Sequence, residues 1–550
     1  MSQAADVPSN QITASEIAQR IGVSLPAVSN WRRRHESFPS PEVAEGKELF
    51  ALPEIVAWLN RRKIAKKDLK PGELPGSTYG SRLLAAMNIT RPSKDAIDPE
   101  LLKEFLQFRG VEDVMVFADL VLGLLYLAVV NKPRFKPRWD DIMAAEGWPL
   151  FEAIERAAMD HVPRLGDLYR ACDAIRHDVY SIKRLTEIAK LVDRVRRSGR
   201  GVEVFDFLLN RFTGVAGRRE ASVYTPSPLV DLMVALISPM SGSSIFDPCC
   251  GSGEFLIGAA KYISASGAHS TDVSFTGHAL SERSAHLTYM NLRLHGVAAD
   301  LNVRGNEIFL DDRTMSESRR FNVIISNPPF DMKEPIPAGM RRYSRYGPLP
   351  RSRSSFAWLQ YIVSSLADGG QAAVVMPSGA LFRAGSEGGI RAQMVDEGVV
   401  EAVIALPSGM FSSTGIPVTV WLLSRSAARP NDEVLLIDAS SLGHMISRTQ
   451  RSLSGDDQSR VVDTLVKWRS GDGYEDVPGF SVSVPVSNIR DQGYILTPGR
   501  YVAASISPEL SRSLRSPREL RNELVRLERR ADELDMVADH QLNRIRPWIL

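Results

Sequence analysis

The spacing of hydrophobic positions changes along the chain and divides it into regions. Near the front, Thr13-Ala14-Ser15-Glu16 has capping-box form, with a hydroxyl at the cap and a carboxylate one turn on. Ile17 and Ile21 supply an inward face, Gly22 ends the helix, and Ser24 caps a second helix through Val28 and Trp31 to Arg34. Two short helices about a glycine turn make a helix-turn-helix. Glu48-Leu-Phe-Ala-Leu-Pro-Glu-Ile-Val-Ala-Trp-Leu adds a short strand and a third helix, giving a winged domain over residues 1–62. Residues 63–98 are charged and rich in Gly and Pro, which predicts a linker. Over 99–216 the apolar positions recur at helical spacing, as in Leu101, Leu102, Phe105 and Leu106, and again in Ile182, Leu185 and Ile188. The apolar run Val121–Val130 is shorter than a bilayer span and reads as a buried core helix.

From Tyr224 to about Ser440 short apolar strands alternate with helical segments. The strands are Ser244-Ile245-Phe246, Val323-Ile324-Ile325, Ala373–Met376 and Val403–Leu406. That alternation predicts an α/β domain over 217–445, a largely parallel sheet with helices on both faces. Ligands of such sheets bind at the carboxyl ends of the strands. A C-terminal extension over 446–507 follows, then a charged helical tail over 508–550. In the tail, Leu520, Leu527, Leu534 and Gln541 form one heptad line and Leu524, Ala531, Ala538 and Ile545 the other. Such a seam predicts a coiled coil with a partner helix, with an internal hairpin as the alternative.

Composition narrows the class. With 44% hydrophobic and 24% charged residues the chain is an ordinary soluble globular protein. Its three cysteines form no disulfide framework, and there is no signal peptide or spanning segment, so a reducing, cytoplasmic setting away from membranes is expected. A net charge of +2 makes any nucleic-acid contact a matter of local patches. One such patch is Ser29, Asn30, Arg32 and Arg33, which face outward on the second helix; Asn and Arg can pair with adenine and guanine edges. A protein-docking module with merely solvated arginines is the competing reading. Cys249 and Cys250 lack zinc-site spacing and read as small packing residues, and His269, His278, His286 and His295 lack ligand spacing, so no metal is expected.

Two elements carry chemistry. Asp247-Pro248-Cys249-Cys250-Gly251-Ser252-Gly253 follows a strand: an acid at the strand end, then glycines that let the backbone approach a ligand. The spacing is neither that of a dinucleotide-binding loop nor that of a P-loop. Further on, a hydrophobic strand runs straight into Asn327-Pro328-Pro329-Phe330. The prolines hold the backbone extended and set the Asn amide oxygen beside the Pro328 carbonyl as fixed acceptors, while Phe330 offers a face on which a base can stack. An exocyclic amine held by both acceptors has its lone pair turned toward an electrophile.

In this order the motifs resemble adenine-N6 DNA methyltransferases, specifically the modification (M) subunits of type I restriction–modification systems. Ala221-Ser-Val-Tyr224-Thr225-Pro226 resembles the family's segment over the methionine end of S-adenosylmethionine, Asp247–Gly253 its cofactor loop, and Asn327–Phe330 its catalytic tetrapeptide. The likeness continues through Phe356-Ala-Trp-Leu-Gln, Gly369–Pro377, Leu406–Phe411 and Tyr494–Tyr501, and covers roughly residues 100–505. It implies a Rossmann-like S-adenosylmethionine-dependent sheet, transfer of a methyl group to adenine N6 with the base flipped out of double-stranded DNA, a specificity subunit clasped through the C-terminal helices, and a separate restriction subunit. It also implies cofactor contacts by Tyr224, Thr225, Pro226, Asp247, Pro248, Gly251, Ser252, Gly253 and Asn306, and catalytic roles for Asn327, Pro328, Pro329 and Phe330. Two positions depart from the family. Ala279 stands where a carboxylate accepts from the ribose hydroxyls, with Ser281 or Glu282 as stand-ins, and Asn306 replaces an aspartate at the cofactor's adenine. Losing one charged hydrogen bond costs roughly ten- to hundredfold in affinity. The alternatives are therefore a catalytically silent DNA-binding or assembly protein, or methylation of an RNA or protein amide amine.

Overall fold

The computed structural model describes residues 11–35, 38–39, 41–44, 47–51, scattered positions between 55 and 83, 114–130, 139–161, 165–176, 179–215, 224–267, 272–303, 320–330, 345–348, 355–411, 415–425, 432–447, 450–502 and 526. Two compact units divide the chain, Met1–Glu104 and Phe105–Leu550.

In the first unit, α1 (Ala14–Ile21) opens on the capping box: Glu16 N–H donates to Thr13 Oγ1 at 3.3 Å and Thr13 N–H to the Glu16 carboxylate at 2.9 Å. Gly22, at φ 72°, ends the helix in the left-handed conformation that glycine adopts without a Cβ clash. Ser24 sits at the N-cap of α2 (Leu25–Arg34), but its hydroxyl makes no capping bond; proline in the first turn, with its fixed φ, starts the helix instead. Strands β1 (Gln11–Ile12), β2 (Glu42–Ala44) and β3 (Lys47–Ala51) form an antiparallel sheet in the order β1-β3-β2. Ile17, Ile21, Val28, Phe38, Phe50 and Trp58 fill the core between helices and sheet. Part of the stretch expected as a linker belongs to this core. Leu83 is buried, Tyr79 packs its ring against Trp31 at 5.5 Å, and Arg82 donates to the Ile21 carbonyl at 3.0 Å.

The second unit opens with a helical bundle: α3 (Val114–Val129), α4 (Trp139–Met143), α5 (Trp148–Asp160), α6 (Gly166–Ile175), α7 (Val179–Arg197) and α8 (Gly201–Val215). Helix α3 is apolar apart from Asp119 and is buried through Phe117, Val121, Leu124 and Leu125, as a core helix must be. A Cβ at Gly123 would lie 2.9 Å from Leu168 Cβ, so the glycine allows α3 and α6 to cross closely.

The rest of the second unit is built on a nine-stranded sheet. Its strands are β4 (Ser244–Asp247), β5 (Ser274–Ala279), β6 (Asp300–Val303), β7 (Phe321–Ser326), β8 (Leu366–Pro377), β9 (Val400–Ala405), β10 (Val418–Ser424), β11 (Glu433–Asp438) and, past a small hairpin of β12 (His444–Met445) and β13 (Arg451–Ser452), β14 (Ser481–Pro485). The order is β14-β11-β9-β10-β8-β7-β4-β5-β6. Strands β4 to β8 pair in parallel, and β10 runs antiparallel to both its neighbours. Helices cover both faces. On one, α9 (Ser227–Ile237), α10 (Glu254–Ala265) and later α14 (Gly455–Ser470) pack on Val323, Ile325, Val375, Ile404 and Ile437. On the other, α12 (Ser355–Ser365), α13 (Ser386–Asp396) and α15 (Val486–Asp491) pack on Ile324, Val374, Met376, Val403 and Leu436. Alternate residues of each strand thus enter opposite cores, which is why these strands read as unbroken apolar runs. Between β5 and β6 lies α11 (Glu282–Leu294), and α16 (Pro498–Val502) closes the described C-terminal part.

The boundary expected at residue 445 does not exist in the fold. Strand β14 hydrogen-bonds along β11, Val482 and Val484 extend the second core, and Arg469 of α14 donates to Glu401 on β9 at 2.8 Å. The extension completes the sheet because β11 would otherwise be an open edge. The tail heptads lie outside the described residues. Among the described residues no helix is long and apolar enough to cross a membrane.

Trp421, fully buried on β10 with its indole N–H donating to Thr419 at 3.1 Å, anchors the second core. Trp421→Ala is expected to cost about 3–5 kcal/mol, read as a lower urea midpoint by far-ultraviolet circular dichroism; an unchanged midpoint would contradict this packing.

Candidate active site

The sheet reverses its winding between β4 and β7: β5 and β6 lie to one side of β4, β7 and β8 to the other. A crevice opens beyond the carboxyl ends of strands at such a point. Asp247 ends β4 and Ser326 ends β7, with Phe246 opposite Ile324 in parallel register. The hydroxyl of Ser326 donates to Asp247 Oδ1 at 2.8 Å, and the Cys249 N–H donates to the same oxygen at 3.0 Å. Oδ2 is buried with no partner among the described residues. Burial pushes the Asp247 carboxyl up to about 7, against the opposing pull of those two hydrogen bonds.

After Asp247 the chain turns through Gly251 and Gly253, at φ 56° and 90°, and enters α10. The Cys250 N–H donates to the His278 carbonyl on β5 at 3.0 Å, and the Gly253 N–H to the Cys250 carbonyl at 2.6 Å. Ser252 is fully buried and donates to Glu254 Oε1 at 2.5 Å; burial raises the Glu254 carboxyl to about 8. Burial also keeps the thiols of Cys249 and Cys250 protonated.

Asn327 follows Ser326 directly and is buried. Its Nδ2 donates to Thr225 Oγ1 at 3.2 Å, and no hydrogen bond among the described residues reaches its Oδ1. The bond fixes the amide orientation, with the nitrogen on Thr225 and the oxygen left as an acceptor. It also joins the segment Tyr224-Thr225-Pro226, whose Pro226 is the N-cap of α9, to the corner. Pro328 and Pro329 continue in irregular backbone. Phe330 is half-buried against the first core, and its carbonyl accepts from Ser355, the first residue of α12, at 3.0 Å. Three stretches far apart in sequence therefore meet at one edge of the sheet.

Other expectations fare differently. Ala279 is buried in the first core. Of its stand-ins, Ser281 is committed to capping α11, accepting from the Ser284 N–H at 3.1 Å, and Glu282 is exposed in the first turn. Asn306 and His269 lie outside the described residues. His286 and His295 each meet a carboxylate of the bundle, Asp167 at 2.5 Å and Asp206 at 3.0 Å, and no metal-binding group occurs among the described residues. In the first unit Ser29, Arg32 and Arg33 are exposed and Asn30 half-exposed, yet none of the four is idle. Ser29 donates back to the Leu25 carbonyl at 3.2 Å, Arg32 forms an ion pair with Glu48 at 2.6 Å, and Arg33 donates to Asn30 Oδ1 at 2.6 Å.

Two groups of residues escaped the sequence reading. Ser326 is the polar end of an apolar strand, a signal that was present. On α11, Ser284, Thr288 and Asn291 recur at helical spacing among apolar neighbours, and their side chains hold the glycine turn: Ser284 and Thr288 donate to the Gly251 carbonyl at 2.6 and 2.7 Å, and Asn291 to the Ser252 carbonyl at 2.8 Å.

The strand order, the reversal point with its acid-and-glycine turn, and the Asn-Pro-Pro corner beside it are together those of a Rossmann-like methyltransferase. The chain belongs to the N-6 DNA methylase family, whose sequence pattern matches residues 201–509, and within it to the methylase subunits of type I restriction enzymes. It is 32% identical over 305 residues to the type I restriction enzyme HindI methylase subunit of Haemophilus influenzae, spanning 55% of this chain and 68% of that protein. It is 29% identical over 435 residues to the MjaIX methylase subunit of Methanocaldococcus jannaschii, spanning 75% and 74%. In three dimensions it is similar to the methyltransferase subunit of a type I restriction–modification system from Streptococcus thermophilus, with a TM-score of 0.58 at 20% identity, covering 89% of this chain and 100% of that one.

An acid whose pKa is raised by folding stabilises the fold while protonated, and that contribution disappears as pH climbs through the folded value. With Asp247 raised from the ordinary 3.8 to about 7, the thermal midpoint of the chain should fall between about pH 4 and pH 7, and Asp247→Asn should flatten this decline. An identical slope in both proteins would remove Asp247 as its source.

Proposed function

We propose that this site transfers a methyl group to the N6 amino group of adenine in DNA, with Asn327 as the residue on which the reaction turns. The observation that carries the reading is the Asn327–Thr225 hydrogen bond, which leaves Asn327 Oδ1 as the acceptor at the corner. The residues also fit the cofactor the reaction needs. S-adenosylmethionine, when bound, supplies an electrophilic methyl group on a positively charged sulfur. The unpartnered, buried Asp247 Oδ2 is an acceptor waiting for a donor, and the Gly251 and Gly253 turn keeps the backbone open to a ligand. Tyr224, Thr225, Pro226, Asp247, Pro248, Gly251, Ser252 and Gly253 would hold that cofactor, with Asn306 completing the set.

The chain's own part in the reaction is orientation. Asn327 Oδ1 accepts one amino proton and the Pro328 carbonyl the other, which turns the nitrogen lone pair outward. Pro329 keeps the corner extended, and the exposed part of Phe330 receives the ring of the flipped base. Held this way by Asn327 and Pro328, the lone pair would face the methyl group that S-adenosylmethionine would supply, and the amino proton would be free to leave to water. Fixing both reactants in one geometry supplies much of the acceleration in such reactions. The methylase-subunit relatives favour this reading over a silent assembly protein.

As a type I methylase subunit the chain works on DNA together with specificity and restriction subunits. The finer reading gives the 508–550 heptads to a specificity subunit, and the first unit, through Ser29, Asn30, Arg32 and Arg33, to contact with duplex DNA. Arg32 must then exchange Glu48 for a phosphate or a base.

Genomic DNA from cells carrying Asn327→Ala should lose N6-methyladenine at this system's sites, with transfer reduced on the order of a hundredfold or more. Mass spectrometry finding equal methylation would overturn the reading. For the first unit, Arg33→Ala should lower the slope of log affinity against log salt for duplex DNA by about 1. An unchanged slope would remove Arg33 from phosphate contact.

A further inference from the structure

The glycine turn is held from behind by one helix. Ser284, Thr288 and Asn291 lie along one stripe of α11, and between them they donate to two successive carbonyls of the turn, Gly251 twice and Ser252 once. All three side chains are buried, Thr288 fully. The Cys250 thiol lies 3.6 Å from Thr288 Oγ1, and the Thr288 hydroxyl donates between the Gly251 carbonyl at 2.7 Å and the Ser284 carbonyl of its own helix at 2.9 Å. With its carbonyls drawn toward α11, the turn has its peptide groups fixed in one orientation. A turn of glycines has no such preference of its own.

The other side of α11 is docked on the bundle. Arg283 pairs with Asp119 of α3 at 2.8 Å, His286 with Asp167 of α6 at 2.5 Å, and His295, just past the helix, with Asp206 of α8 at 3.0 Å. Tyr289 completes the contact, stacked edgewise against Tyr126 and His161 at 6.1 and 5.9 Å. One helix therefore links the bundle to the turn.

We propose that Thr288 and Asn291 are positioning residues for the cofactor. They set the orientation of the Gly251 and Ser252 peptides, so that cofactor affinity depends on hydrogen bonds made by side chains that do not touch the cofactor. The inference rests on the reading of the glycine turn as the S-adenosylmethionine loop.

Thr288→Val removes only the hydroxyl, and Thr288→Ser restores it. Calorimetry with S-adenosylmethionine on the full chain should show the dissociation constant of Thr288→Val and of Asn291→Leu raised at least about tenfold, since Asn291→Leu strands the Ser252 carbonyl and Thr288→Val leaves the Gly251 carbonyl held by Ser284 alone. Thr288→Ser should stay within about threefold of the parent, with a binding stoichiometry of one per chain in all. A structural role alone would lower the fraction of chain able to bind and leave the affinity of that fraction unchanged, and that outcome overturns the proposal. So does a Thr288→Val protein that binds as the parent does. If the parent chain itself binds no S-adenosylmethionine, the cofactor-loop reading has failed instead.

Discussion

The hydrogen bond between Ser326 and Asp247 is the contact on which the rest of the site depends. It joins the last residues of two parallel strands that run side by side but arrive from different parts of the chain. Burying a carboxyl is expensive unless it is hydrogen-bonded, and here one oxygen is satisfied twice while the other faces no partner among the described residues. The arrangement is poor as a stabilising device and good as a receptor. A group held nearly satisfied at a strand tip gains when a ligand donor arrives, and it loses nothing to reorganisation when it does. Because Asn327 is the next residue after Ser326, the same bond also fixes where the acceptor corner stands relative to the turn.

The corner is rigid for reasons spread over three elements. The prolines restrict the backbone after Asn327, Thr225 fixes the amide, and Ser355 holds the Phe330 carbonyl. Each contact is modest, about 0.5–1.5 kcal/mol net for a neutral hydrogen bond. Their effect is geometric, since together they fix the Asn327 amide and the backbone that follows it. Behind the glycine turn α11 does for the turn what Thr225 does for the corner. Exposed ion pairs contribute about 0.2–1 kcal/mol each. The Arg283–Asp119 pair and the His286–Asp167 hydrogen bond on α11 are half-buried and are joined by the Tyr126, His161 and Tyr289 rings, so the bundle acts as a support for the glycine turn.

The sequence made some of this legible and hid the rest, for physical reasons. Strands buried on both faces read as apolar runs, so β4, β7, β8 and β9 were visible; so were the caps of α1 and the glycine that ends it, because those signals are local. What depends on distant partners was not visible. Nothing near Ser326 tells that it meets Asp247, nothing near Thr225 that it meets Asn327, and the stripe of Ser284, Thr288 and Asn291 gains meaning only once α11 lies behind the turn. Sheet edges mislead in the same way. The segment after residue 445 reads as an appendage, and only the pairing of β14 with β11 makes it part of the sheet. In the first unit, Arg32 looks like a free cation until β3 brings Glu48 to it.

The central claim is that the Tyr224–Pro226 segment, the Asp247–Gly253 turn and the Asn327 corner enclose one cofactor. Ultraviolet cross-linking of methyl-labelled S-adenosylmethionine to the whole chain, followed by peptide mass spectrometry, tests it most directly. The label is expected on peptides bearing Tyr224 or the residues from Asp247 to Glu254, and competition by unlabelled cofactor should remove it. Label confined to peptides away from these three segments, or equally strong in a chain carrying Asp247→Lys, would contradict the account.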